Sequence, residues 1–111
     1  GKYAQAGLEK LGLWENVKRS AVFGENVRAA LAFFDKGELA SAIVYASDVY
    51  VDNKVKTAAV FDPTTHPDIV YPAAVLKDGG DQAKAFVAFL SSPAGQKLFV
   101  DKGFVAAKPS M

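Results

Sequence analysis

The chain has 111 residues, of which 50% are hydrophobic and 23% are charged, the balance of a globular domain with room for one core. Thirteen basic and twelve acidic side chains leave a net charge of +1, which excludes a strongly basic nucleic-acid surface. There is no cysteine, so disulfides, thiol nucleophiles and cysteine metal sites are excluded. The apolar runs are too short to span a bilayer as a helix.

Apolar residues recur with helical spacing in four segments. Asn26 is the best N-cap candidate for the second of these helices, with Glu25 as the alternative. Ser92 followed by Pro93 is a typical start for the last one. The predicted helices cover residues 2–11, 27–36, 83–90 and 93–102.

Three apolar segments between these helices have the composition of strands. They cover residues 41–45, 55–61 and 69–76, and Pro72 places an edge or a bend in the third. Strands that alternate with helices favour an α/β layer architecture with a mostly parallel sheet.

The residue types offer little for catalysis. The single histidine, His66, lies in a proline-rich loop, where a solvated surface residue is the preferred interpretation. No metalloprotease, nucleophile-elbow or phosphate-loop motif is present, and the acidic residues form no convincing pair. We therefore predict no catalytic residues, no metal site, no cofactor and no enzymatic activity. An α/β enzyme is the least favoured alternative.

One helix start and one strand end could together bind an anion. Gly24 to Val27 leads into the second helix, where the first N–H groups lack helical partners and carry partial positive charge. Tyr45 lies at a predicted strand end, the place where open α/β sheets bind ligands. The candidates are the Val27 N–H and the Tyr45 hydroxyl, with Asn26 and Gly24 as neighbours. Spacing alone favours the simpler interpretation that Val27 is core and Tyr45 an amphipathic filler.

Several segments resemble the periplasmic molybdate-binding proteins of ABC importers. The most specific are V-R-A-A-L within residues 25–32 and I-V-Y-A-S-D within residues 42–48. The similarity extends over essentially the whole chain, and its other segments are residues 1–14, 71–75 and 86–104.

The resemblance implies a three-layer, periplasmic-binding-protein-like α/β lobe with a mostly parallel sheet, truncated at its amino-terminal side. Residues 1–70 would form most of the second, ligand-binding lobe, and residues 71–111 would return to the first. In this family the two lobes close on molybdate or tungstate, which neutral donors hold. The resemblance assigns the Val27 N–H and the Tyr45 hydroxyl to that donor set, and the other donors would precede Gly1.

The resemblance also implies partners and a location. We expect a small oxyanion as ligand, an ABC permease in the membrane as partner, and no nucleic acid. The location would be periplasmic, or extracellular and lipid-anchored in a single-membrane bacterium. The effector-sensing domain of a regulator and a binder of another oxyanion stay open as alternatives.

For the chain alone we expect weak anion binding or none, because most donors are missing. We also expect self-association or domain swapping through apolar side chains that would face a first-lobe sheet. These side chains are Val75, Phe86, Val87, Leu90, Leu98 and Phe99.

Overall fold

A computed structural model describes residues 1–107. The chain divides into two compact units, one spanning Gly1–Ile69 and the other beginning at Val70. The assignment of residues 1–70 and 71–111 to two lobes stays a prediction, and residues 108–111 of the second segment lie outside the described part.

The described residues contain six α-helices and one 3-10 turn, at Pro63–Thr65. No helix within residues 1–107 is both long enough and apolar enough to cross a membrane. The helices are α1 (Lys2–Lys10), α2 (Trp14–Val17), α3 (Val27–Asp35), α4 (Ala46–Val51), α5 (Gly80–Ser91) and α6 (Pro93–Asp101).

The four predicted helices are present as α1, α3, α5 and α6, with ends within three residues of those expected. Gly12 and Gly37 follow α1 and α3 with φ of 74° and 79°, a left-handed conformation that ends a helix at little cost only for glycine. The short helices α2 and α4 are shorter than two full turns, so hydrophobic periodicity could not predict them in full.

The predicted sheet is not confirmed. Residues 41–45, 55–61 and 69–76 lie outside helices, but none of residues 1–107 forms a strand. A strand is defined by hydrogen bonds to a neighbouring strand, and the three extended segments do not supply this pairing to one another. Apolar side chains on these segments are therefore uncovered, as for Val60 and Val70, which are 83% and 69% exposed.

The first unit has a buried apolar side chain in α1 and another in α3. Leu8 and Leu31 are its buried apolar side chains within the described residues. At Gly7 of α1, a Cβ atom would lie 2.7 Å from the Phe61 ring, so this ring packs directly against the helix backbone. His66 is half-buried rather than solvated, because its ring meets that of Tyr3 edge-on at 6.3 Å.

A tight corner between α5 and α6 holds the second unit together. The Ser92 hydroxyl accepts from the Gly95 N–H at 3.1 Å and donates to the Phe89 carbonyl at 2.6 Å, and the Gln96 side-chain amide donates to the Leu90 carbonyl at 2.7 Å. A Cβ atom at Gly95 would lie 2.1 Å from the Phe89 carbonyl oxygen. The corner therefore requires glycine at this position.

The apolar side chains of this unit are only partly covered. Of the six that were predicted to face another sheet, Phe86 and Leu98 are exposed at 62% and 59%, and the other four are half-buried. Phe89 and Val100 are exposed as well. Exposed apolar side chains favour association with a second apolar surface.

We therefore expect the isolated chain to self-associate through α5 and α6, because association covers these side chains. Sedimentation velocity across a concentration series should show the weight-average mass rising above 11.8 kDa. A double variant, Phe86→Asp with Leu98→Asp, should shift the chain toward monomer, since both carboxylates oppose apolar burial. A single monomeric species for the parent chain at high concentration would contradict the prediction.

Candidate functional site

The amino end of α3 is fixed by its own sequence. Asn26 is the N-cap, and its side-chain oxygen accepts from the Ala29 N–H at 2.9 Å, as expected. Gly24 passes so close that a Cβ atom there would lie 2.7 Å from the Ala30 nitrogen. Val27 is the first helical residue, and its N–H donates to no acceptor within residues 1–107. This group matches the type of donor predicted for an anion.

Tyr45 occupies the N-cap of α4. Its backbone N–H donates to Oδ2 of Asp48 at 3.0 Å, and the Asp48 N–H donates to its carbonyl at 3.0 Å. The helix begins at Ala46, before the Ser47-Asp48 pair whose composition marks a helix start. The half-buried tyrosine is thereby fixed through its main chain.

An ion pair joins the two helix starts. Nε of Arg28 lies 2.9 Å from Oδ1 of Asp48, so both carboxylate oxygens of Asp48 are engaged. The Asp48 side chain is 4% exposed, whereas that of Arg28 is 66% exposed. Val27 and Tyr45 are thus linked indirectly, through Arg28 and the Asp48 carboxylate.

The carboxyl ends of α3 and α4 also meet. Asp35, at the end of α3, and Asp52, just after α4, lie close enough for their carboxyl groups to shift each other's pKa through a hydrogen bond. Two side-chain contacts thus connect the α3 and α4 segments. Between them lies an open groove of about 410 Å³, lined by Arg28, Leu31, Ala32, Asp35, Val51, Asp52, Asn53 and Lys54.

This carboxyl pair shifts both pKa values. The hydrogen bond to Asp52, followed by desolvation and by the negative charge of Asp52, raises the pKa of Asp35. Hydrogen bonds from the Lys54 N–H, at 3.0 Å, and from Asp35 lower the pKa of Asp52. Asp35 and Asp52 are 17 residues apart along the chain, so their spacing did not indicate that they form a pair. Asp35 is exposed and Asp52 is half-buried.

Arg28 and Asp48 were not among the site residues predicted from the sequence. Arg28 lies off the apolar face of its helix, where a solvated side chain is the simplest expectation. Asp48 completes a capping box, in which an acidic residue at the third helical position accepts from the N-cap N–H. That pattern is normally recognised by a serine or threonine cap, and here the cap is tyrosine.

Comparison with known proteins identifies the family of this chain. The sequence model of a family described as bacterial extracellular solute-binding proteins matches residues 1–105. This chain belongs to that family.

Individual relatives are more specific. The chain is 42% identical over 108 residues to the molybdate-binding protein ModA of Haemophilus influenzae, and 35% identical over 105 residues to ModA of Escherichia coli. It is 36% identical to YvgL of Bacillus subtilis, described as a putative ABC transporter substrate-binding lipoprotein. These matches cover 94–96% of this chain but only 41–42% of each relative.

The family settles several predictions. The resemblance to molybdate-binding proteins of ABC importers is confirmed by the family match and by the two ModA relatives. The prediction that the chain is not an enzyme is confirmed, because the family consists of solute-binding proteins. The absence of a cofactor is confirmed in the same way, since molybdate is what the ModA proteins are named for binding. The coarser part of the location, outside the cytoplasm, agrees with the family description.

The hydrogen bond between Asp35 and Asp52 can be tested by substitution. Asp52→Asn should lower the pKa of Asp35 toward its ordinary value, because the raising hydrogen bond and charge are both removed. An NMR titration of the aspartate carboxyl carbons measures this, with Asp81→Asn as the control. An unchanged Asp35 pKa in Asp52→Asn would show that Asp52 is not its partner.

The sign of the linked stability follows from the same shift. Because the folded chain raises the pKa of Asp35 above 3.8, folding binds this proton more tightly. The contribution of Asp35 to stability is therefore fully present below the unfolded value and is lost as the pH rises through the folded one. The contribution is small because the group is exposed.

Proposed function

We propose that this chain is part of the substrate-binding component of a molybdate ABC importer. The observation that carries the proposal is the ion pair between Arg28 and Asp48, because it ties the helix start bearing the Val27 N–H to the cap residue Tyr45. All four residues lie within residues 25–32 and 42–48, the segments whose resemblance to molybdate-binding proteins is most specific. The sequence identity to two such proteins supports molybdate as the ligand.

The donors suit a doubly charged tetrahedral anion. Enclosing a dianion costs much free energy unless each oxygen meets a hydrogen-bond donor. The N–H groups at the start of α3 carry partial positive charge without a mobile countercharge, and a tyrosine hydroxyl adds one directed donor. Tungstate has the same shape and charge, so this donor set serves both anions, and cavity size would set the preference over sulfate.

The rest of the transport cycle follows from the proposed role. The chain would contribute Val27 and Tyr45, and the remaining donors would come from the part of the relatives' length that this chain does not cover. Two lobes would close around the anion by a hinge motion, and a membrane permease would receive the closed form. The protein would work in the periplasm, or on a lipid anchor as the description of the Bacillus subtilis relative suggests.

We further propose that residues 41–45, 55–61 and 69–76 are strands of a mostly parallel sheet in the whole protein. Apolar side chains on these segments are exposed here, and pairing with additional strands would bury them. The resulting three-layer lobe would place Tyr45 at the carboxyl edge of a strand, the edge where α/β sheets bind ligands.

The isolated chain should bind molybdate with a dissociation constant weaker than about 1 μM. Two donors leave most oxygens of the anion without protein partners, and these oxygens favour water. Isothermal titration with molybdate measures the affinity, and titration with sulfate provides the comparison. Tight, selective binding by this chain alone would show that the missing donors are not needed.

In the whole protein, Tyr45→Phe should weaken molybdate binding by about 1–3 kcal/mol, the cost of an unmet hydrogen bond to a charged group. The matched control is Tyr50→Phe within α4, at a residue that is 55% exposed. Isothermal titration of both variants decides the matter. Equal affinities for Tyr45→Phe and the parent protein would remove Tyr45 from the site.

A further inference from the structure

We propose that Arg28 and Asp48 are positioning residues of the oxyanion site. They hold its two donors in register without touching the anion. This inference rests on the proposed function, since it concerns how the Val27 N–H and the Tyr45 hydroxyl reach the same ligand. Nothing in the donor set itself requires either charged residue.

The Asp48 carboxylate makes two contacts at once. One carboxylate oxygen accepts from the Tyr45 N–H at 3.0 Å, and the other meets Nε of Arg28 at 2.9 Å. Arg28 directly follows Val27 in the first turn of α3. A single rigid carboxylate therefore fixes the distance between the main chains that carry the two donors.

Arg28 neutralises the buried charge of Asp48. A carboxylate that is 4% exposed is costly to bury unless it is paired, and an uncompensated negative charge beside a dianion site would repel the ligand. Arg28 compensates this charge from the solvent side, where its side chain is 66% exposed. The site can then consist of neutral donors even though the Asp48 carboxylate connects the segments that carry them.

A double-mutant cycle in the whole protein, expressed from its full reading frame, tests the proposal. The variants are Arg28→Met, Asp48→Asn and the two combined, and the measurement is the molybdate dissociation constant at a temperature where all of them are folded. Each single variant should weaken binding about ten- to a hundredfold, by analogy with the loss typical when a residue that orients a metal ligand is removed. The combined variant should be no weaker than the worse single one, because both residues act through the same link.

An independent readout separates positioning from general stability. Hydrogen exchange of the Tyr45 amide in the ligand-free protein should accelerate in Asp48→Asn, since its acceptor is altered. The matched control is the exposed ion pair between Lys18 and Glu15 in the same unit. The variants Lys18→Met and Glu15→Gln should leave both the dissociation constant and the Tyr45 exchange rate unchanged.

Several outcomes would overturn the inference. Parent affinity in Arg28→Met or Asp48→Asn would show that the pair does not position the donors. Losses that multiply in the combined variant would show that Arg28 acts separately, for instance by touching the anion. If Tyr45→Phe weakens binding while the pair variants do not, the proposed function stands and this inference falls. If the parent protein itself fails to bind molybdate, the proposed function falls, and the inference falls with it.

Discussion

The Asp48 carboxylate is the interaction on which the arrangement of the candidate site depends. It is almost fully buried, and it meets a main-chain donor on one side and a guanidinium on the other. It joins the amino ends of α3 and α4, where the proposed donors lie. The contact between Asp35 and Asp52 at the carboxyl ends is different, because two acids attract each other only while one is protonated.

Local sequence rules predicted the parts of the fold that are set locally. Asn26 caps α3 and Ser92 caps α6 as expected, because a side-chain oxygen two or three residues ahead of an unpaired N–H satisfies it whatever the rest of the chain does. The glycines after α1 and α3 behave in the same way. Such features depend on a few neighbouring residues, all of which are visible in the sequence.

The failures of prediction concern contacts between distant residues. Strand composition in residues 55–61 indicates a preference, but hydrogen-bonded partners decide whether a sheet forms. The pairing of Arg28 with Asp48, twenty residues apart, depends on how two helices lie beside each other. Val27 and Tyr45 could be named from spacing and family resemblance, whereas the residues that connect them could be found only from coordinates. Their part in binding an anion is a prediction.

The raised pKa of Asp35, caused first by its hydrogen bond to Asp52, links the chain to the pH of its surroundings. Members of this family are described as extracellular, and outside the cytoplasm acidity follows the medium rather than the metabolism of the cell. Acidification would strengthen the contact at one end of the α3–α4 pair, while the arginine at the other end keeps its charge at any habitable pH. The strength of the contact at the carboxyl ends of the two helices would therefore vary with the external pH, whereas the arginine at their amino ends would stay charged.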